Sequence, residues 1–168
     1  GPNRRLDVGG IAKGYVADEA KKAMRPLGVT RVLINAGGDI VVGDPPPGQP
    51  GWRVGVAPLD ARKPHSQILL IQNAAVATSG DAWQFVELDG KRYSHIIDPL
   101  TGFGLTDRSS VSVIAKDGIT ADALASALSV MGVERGIQDR KSVVEGKSVD
   151  LGGRRSLKKK KKNQHHSI

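Results

Sequence analysis

Residues 11–42 read I-A-K-G-Y-V-A-D-E-A-K-K-A-M-R-P-L-G-V-T-R-V-L-I-N-A-G-G-D-I-V-V, and their apolar period changes once along the way. From Ile11 to Met24 apolar residues recur every three or four positions, which predicts an amphipathic helix that ends at Pro26 and Gly28. From Arg31 to Val42 the residues are β-branched and apolar on both sides of an N-A-G-G-D break. This pattern predicts two short strands around a tight turn or bulge.

The remaining segments predict further strands and a second helix. The expected strands are Trp52–Ala57, Gln67–Ile71, a hairpin of Trp83–Leu88 with Arg92–Ile97 across Asp89-Gly90, and Ser109–Ala115. A helical run from Ala121 to Met131 follows, with Thr120 at its N-cap and Gly132 after its end. Together these elements predict an α+β fold, a mixed or antiparallel sheet with helices packed on it.

Composition limits the class of protein. The 168 residues are 39% hydrophobic and 25% charged, which suits one globular domain. There is no cysteine, so disulfides and thiolate metal sites are excluded and oxygen ligands for a hard cation are favoured. Because no stretch reaches the roughly 18 apolar residues of a membrane helix, we expect no membrane segment here. The sequence does not indicate a localisation.

The net charge of +8 is concentrated in residues 139–168, which hold ten basic and three acidic residues. This segment resembles the in-frame translation of a sequencing-adapter oligonucleotide, and its five consecutive lysines, Lys158–Lys162, resemble translated poly-A. We therefore expect residues 139–168 to be a non-native, disordered tail and residues 1–138 to be the domain. The alternative is a genuine basic tail that binds nucleic acid or an anionic membrane. We expect no nucleic-acid partner for the domain.

Two helix starts carry candidate functional residues. The first is L-D-V-G-G-I-A-K-G-Y at residues 6–15, where a glycine turn opens into a helix and exposes backbone N–H groups suited to a phosphate. The second is T-A-D-A-L-A-S at residues 120–126, where Asp122 and Ser126 share one helical face and offer oxygens suited to Mg²⁺. Spacing alone also fits an ordinary turn and an ordinary helix start.

A third candidate is Y-S-H-I-I-D-P-L-T-G at residues 93–102, a strand that runs into an Asp-Pro turn with His95 near its end. By itself it would be a half-exposed histidine before an ordinary turn.

The order of the motifs along the chain is more informative than any single motif. D-V-G-G-I-A-K-G-Y, N-A-G-G-D-I, A-V-A-T-S-G-D, Y-S-H-I-I-D-P-L-T-G and T-A-D-A-L-A-S-A-L follow one another across residues 4–138, and this series resembles the ApbE family of FAD:protein FMN transferases.

The resemblance implies an activity and a set of site residues. Members bind FAD, cleave its pyrophosphate with Mg²⁺, and transfer FMN to a threonine hydroxyl of an acceptor flavoprotein, releasing AMP. By similarity Asp7, Lys13 and Ile96 contact FAD. The Gly10 carbonyl, Asp122 and Ser126 surround the metal, with Ser126 standing where threonine is usual. His95 corresponds to the candidate general base.

The resemblance also implies an ApbE-like, T-fold-like domain that is truncated, because members begin well before Leu6 and have a last strand beyond Gln138. We therefore expect this chain to be the C-terminal part of such an enzyme. Two alternatives stay open at this point. One is a magnesium-dependent FAD-binding protein or FAD pyrophosphatase without protein transfer, and the other is an inactive fragment. The motifs Asn35–Asp39 and Ala77–Asp81 receive no individual role.

Overall fold

The computed structural model describes residues 7–56, 67–81, 84–132, 135 and 149–151. Helix α1 is Ala12–Met24, followed by a 3₁₀ turn, Arg25–Leu27, that ends at Gly28 with a positive φ of 77°. Helix α2 is Gly118–Met131. Neither helix is long and apolar enough to cross a membrane, within the part of the chain that is described.

The second helix begins earlier than predicted. Asp117, not Thr120, is its N-cap, because the Asp117 carboxylate accepts a hydrogen bond from the Thr120 backbone N–H at 2.8 Å. A second carboxylate, that of Asp18 in α1, accepts from the N–H groups of Gly118 and Ile119 at 2.8 and 2.9 Å. The first turn of α2 is thus satisfied partly from another helix, which no local pattern could indicate.

Nine strands are described: β1 Leu33–Ala36, β2 Asp39–Val42, β3 Trp52–Val56, β4 Gln67–Ile71, β5 Ala74–Gly80, β6 Phe85–Leu88, β7 Lys91–Ser94, β8 Ser110–Ala115 and β9 Val149–Leu151. Five form an antiparallel sheet in the order β1-β2-β5-β8-β9, while β3–β4 and β6–β7 are two-stranded antiparallel pairs. The predicted α+β class is confirmed. The sequence does not predict strand β5, because its three alanines and its final glycine have low local strand propensity although the strand is central in the sheet.

The five-stranded sheet is covered on both faces. On one face lie the two helices, where Ala17 and Ala121 pack with Val41, Ala75 and Val113 of the sheet. On the other face lies the β3–β4 pair, and its contacts join Val54, Leu69 and Ile71 to Val42 and Val76. Residues on β2, β5 and β8 therefore alternate between the helix side and the hairpin side.

The buried face of α1 differs from the predicted apolar stripe. Tyr15 and Val16 are more than half exposed, whereas Gly14 and Ala17 are buried. The reason is the closeness of the two helices: a Cβ added at Gly14 would lie 2.1 Å from the Gly118 carbonyl oxygen, and one added at Gly118 would lie 2.6 Å from the Gly14 oxygen. Small residues occupy the interface between α1 and α2, because only they let the two backbones approach this closely.

Strand β9 belongs to the segment that we expected to be disordered. Its residues Val149–Leu151 pair antiparallel with Val111–Val113 of β8 at the edge of the sheet. The structure places these three residues in an edge strand, and the disorder expected for the tail stays a prediction. Residues 136–148 and 152–168 lie outside the described residues, and the foreign origin of the tail stays a prediction.

The glycine contact generates a stability prediction. Gly14→Ala should lower the free energy of unfolding by about 3 kcal/mol, because the new methyl group meets backbone atoms that cannot rotate away. Glu19→Ala, an exposed change on the same helix, should stay within about 0.5 kcal/mol. Urea unfolding of the two variants checks this, and equal losses would contradict the close approach.

Candidate active site

The helix crossing brings Asp122 of α2 against the first turn of α1. Asp122 is 2% exposed, and its Oδ2 accepts a hydrogen bond from the Gly14 backbone N–H at 3.1 Å. One turn later, Ser126 faces the same side and its Oγ lies 3.2 Å from the Oγ of Ser79 in β5. The predicted pairing of Asp122 and Ser126 on one helical face is thus directed towards both α1 and the sheet.

The glycine turn before α1 meets the same helix face. A Cβ added at Gly10 would lie 3.3 Å from both the Cβ and the Oγ of Ser126, so the two residues are in contact distance. The turn is held by the Asp7 carboxylate, which accepts from the Gly9 N–H at 2.7 Å, and by the N–H groups of Ile11 and Ala12, which donate to the Val8 carbonyl. The structure therefore brings Gly10 and Ser126 together, with Asp122 one turn before Ser126 on the same helix.

These groups fit a hard divalent cation by their donor chemistry. Asp122 supplies a carboxylate, Ser126 a hydroxyl and Gly10 a carbonyl, and oxygen ligands of this kind suit Mg²⁺. Within the described residues no group of three or more His, Cys, Asp and Glu is close enough to hold a metal ion. A cation bound here would have to complete its coordination with water or with oxygens of a ligand.

A second carboxylate, Asp39 of β2, lies in the same buried region. Its Oδ2 is 2.8 Å from the Lys13 Nζ, and its side chain is almost fully buried, whereas that of Lys13 is 45% exposed. Burial raises the pKa of Asp39 above its ordinary value, the Lys13 ammonium opposes that shift, and the Asp122 carboxylate adds to it. We call Asp39, Asp122, Ser126, Ser79 and Lys13 the polar cluster.

Sequence reasoning missed two members of the polar cluster. Asp39 and Ser79 were visible only as parts of N-A-G-G-D and A-V-A-T-S-G-D, motifs without an assigned role. A hairpin turn with Gly37 and Gly38 at positive φ brings Asp39 to the start of β2, on the helix side of the sheet. A carboxylate after such a turn could be predicted as a site residue only if the lysine that faces it were known.

His95 and Ile96 lie after β7, on a different element. His95 is exposed; its backbone N–H donates to the Gln84 carbonyl at 3.2 Å, and its Nδ1 lies 3.1 Å from the same oxygen. The half-buried Ile96 donates its N–H to the Ser94 Oγ at 3.1 Å. These contacts hold the segment to its own hairpin and include no contact with the polar cluster.

The hydrogen bond of His95 has a chemical consequence. A carbonyl oxygen only accepts, so this contact is a hydrogen bond when the Nδ1 that faces Gln84 carries the hydrogen of the neutral ring. The other nitrogen, Nε2, then has a free lone pair and can accept a proton.

An open cleft of about 790 Å³ lies elsewhere, between the segment after His95 and the C-terminal end of α2. Its lining includes Asp98, Phe103, Arg108, Leu128 and Met131. None of the predicted site residues lines it. The residues predicted to hold the metal, Gly10, Asp122 and Ser126, therefore lie at the other end of α2, where the helix meets α1.

Comparison with known proteins decides the family. The model of the ApbE family matches residues 1–145. This chain belongs to the ApbE family. Among its curated ApbE relatives, an FAD:protein FMN transferase of Vibrio cholerae is 39% identical over 139 residues, covering 81% of this chain and 41% of that protein. One from Klebsiella pneumoniae is 36% identical over 143 residues, covering 80% and 42%.

Solved ApbE structures agree with the fold. The ApbE protein of Thermotoga maritima superimposes with a TM-score of 0.76 at 34% identity, covering 88% of this chain and 48% of that one. The flavin transferase ApbE of Vibrio cholerae gives a TM-score of 0.73 at 34% identity, covering 84% and 45%. The chain spans about two fifths of the length of the curated ApbE relatives described above.

The Lys13–Asp39 pair generates a pH prediction. The folded-state pKa of Asp39 is raised, so the folded protein holds its proton to higher pH than the unfolded chain, and this contribution to stability is lost as pH rises. Lys13→Met removes the cation that opposes the shift. As pH rises above the ordinary titration range of an aspartate carboxyl, the free energy of unfolding of this variant should therefore fall more steeply than that of the parent.

Urea unfolding at several pH values measures this slope. Lys22→Met is the matched control, because Lys22 lies on the same helix and its Nζ is 3.4 Å from the exposed Glu19. The control should keep the slope of the parent. Identical slopes for Lys13→Met and the parent would show that Lys13 does not stabilise the charged form of Asp39.

Proposed function

We propose that this ApbE chain handles FAD and Mg²⁺ in an FAD:protein FMN transferase, which moves FMN from FAD to a threonine hydroxyl of an acceptor flavoprotein and releases AMP. The observation that carries the proposal is the contact of Gly10 with Ser126, one helical turn from the buried Asp122, at the start of α1. The relatives named above as FAD:protein FMN transferases support the same assignment.

The reaction needs positive charge more than a covalent nucleophile. The threonine oxygen forms a bond to the phosphorus of the FMN phosphate, and the bond from that phosphorus to the AMP oxygen breaks. Catalysis of such a transfer consists mostly of positioning and of neutralising the phosphate oxygens. Magnesium supplies that positive charge when bound, and the Gly10 carbonyl, Asp122 and Ser126 are the residues that would hold it.

The start of α1 is suited to the pyrophosphate of FAD. The backbone N–H groups of the glycine turn and the positive end of the helix favour an anion there. Lys13 extends from the first turn with its side chain 45% exposed while Asp39 holds its ammonium group. We assign Asp7, Lys13 and Ile96 to contacts with FAD on the family resemblance.

His95 is proposed as the base that takes the threonine proton. The Gln84 carbonyl holds hydrogen on Nδ1, which leaves Nε2 to accept the proton as the new oxygen–phosphorus bond forms. Histidine suits this task because its ordinary titration range is near neutral pH. If water attacked in place of threonine, the same groups would support FAD pyrophosphatase activity, so the acceptor must be part of the test.

Asp122 is the first residue to test. Because it is buried and accepts a hydrogen bond from Gly14, removing the side chain would leave the Gly14 N–H without this partner. Asp122→Asn keeps an acceptor oxygen and removes the charge. In the full-length protein it should abolish Mg²⁺-stimulated AMP release from FAD with little change in melting temperature.

Asp117→Asn is the control for that measurement, since asparagine caps a helix as well as aspartate does. Its Mg²⁺ dependence should be that of the parent. Undiminished Mg²⁺ stimulation in Asp122→Asn would rule out Asp122 as a metal ligand.

His95→Ala should slow flavinylation of the acceptor by roughly 10²- to 10⁴-fold, the range for a positioned general base. The affinity for FAD should change little, because a base acts mainly on the transition state. Flavin fluorescence on the acceptor and FAD titration measure the two quantities, with the exposed Lys91→Ala on the same hairpin as control. Weaker FAD binding with an unchanged rate at saturation would make His95 a flavin contact instead.

A further inference from the structure

An ion pair between the buried Asp81 and the partly buried Arg92 connects the hairpin before His95 to the end of the main sheet. Asp81 directly follows β5 and is 4% exposed. Its Oδ2 accepts from the Arg92 Nε at 2.8 Å, and its backbone carbonyl accepts from the Arg92 Nη2. The Arg92 guanidinium also lies over the ring of Phe85, 3.2 Å from its centre. Arg92 is therefore fixed from three directions.

A second connection runs parallel to the first. Gln84 lies three residues after Asp81, and His95 lies three residues after Arg92. The Gln84 carbonyl accepts the His95 backbone N–H and faces the His95 Nδ1. The Asp81–Arg92 and Gln84–His95 contacts thus join the same two stretches of chain, and displacing one stretch would disturb both contacts.

The first connection also reaches the polar cluster. Ser79, two residues before Asp81, is the β5 residue whose hydroxyl lies 3.2 Å from that of Ser126. Asp81 is therefore connected along β5 to the residue that contacts Ser126, and through Arg92 to the hairpin that precedes His95. Burial of Asp81 costs free energy of folding, because its Oδ1 is buried without a hydrogen-bond partner among the described residues.

We propose that Asp81 is a positioning residue for His95: through Arg92 it keeps the Gln84 carbonyl on Nδ1, and so keeps Nε2 as the proton acceptor. This inference rests on the proposed function of His95. Arg108, whose Nε is 3.6 Å from the same Asp81 oxygen, adds a second cation to the pair. Asp81 touches no reacting group; its effect is on the tautomer and the orientation of the imidazole.

The decisive variant is Asp81→Asn in the full-length protein, because it keeps the size of the side chain and removes the charge that binds Arg92. Arg92→Lys is the second variant, since lysine keeps the positive charge but cannot bond the side chain and the main chain of Asp81 together. Glu87→Gln is the matched control: Glu87 is an exposed carboxylate directly opposite Arg92 in the hairpin.

Nitrogen-15 NMR of the His95 ring, at a pH where the imidazole is neutral, reports the tautomer without requiring activity. We expect the Nδ1–H form in the parent and in Glu87→Gln, and a mixture of both tautomers in Asp81→Asn and Arg92→Lys at a melting temperature near that of the parent. A ring spectrum of Asp81→Asn identical to that of the parent overturns the proposal. If Asp81→Asn does not fold, Arg92→Lys decides by the same criterion.

Kinetics give an independent criterion. Asp81→Asn should lower kcat for flavinylation by about 10²-fold, with KM for FAD changed by less than about twofold. In a His95→Ala background the same substitution should cause no further loss, because its effect passes through His95. A full further loss would overturn the positioning role. If the parent itself does not flavinylate the acceptor, the proposed function fails, while the ring spectrum still decides the role of Asp81.

Discussion

The contact between Gly14 and Gly118 is the constraint on which the rest of the arrangement depends. Two helices touch backbone to backbone there, at a distance that leaves no space for a Cβ on either residue. Only at this distance can the Gly14 N–H reach the Asp122 carboxylate and the Asp18 carboxylate reach the first turn of α2. The close packing of the two helices therefore also positions the members of the polar cluster that lie on them.

The polar cluster puts charge where a core would favour apolar side chains. Burial and the Asp122 carboxylate raise the pKa of Asp39, and Lys13 compensates only part of that rise. Buried ionisable groups with a shifted pKa are typical of sites where the charge interacts with a ligand. A cation and a pyrophosphate would supply the missing partners, which agrees with the function proposed for this ApbE chain.

The proposed base belongs to a different structural unit from the proposed metal ligands. His95 follows a separate two-stranded hairpin, whereas Asp122 and Ser126 lie between the helices and the five-stranded sheet. Phosphoryl transfer tolerates little error in the relative positions of cation, phosphate and base. A buried ion pair between Asp81 and Arg92 is a physically reasonable way to connect the two units, because its fork geometry restricts both distance and angle.

The sequence by itself determined the α+β class, both helices, most strands, and the ordered motifs that resemble the ApbE family. These features follow from hydrophobic periodicity and from turn residues within short stretches of sequence, where interactions between neighbouring residues are sufficient to predict them. Only the tertiary structure decided the Asp117 cap with its support from Asp18, the central strand β5, the buried face of α1 and the partnership of Lys13 with Asp39. Each of these depends on residues brought together from distant parts of the chain, as Gly14 and Asp122 are across 108 positions. Close approach of backbones and burial of charge have no local sequence signal, because the partner that makes them favourable is supplied by the fold.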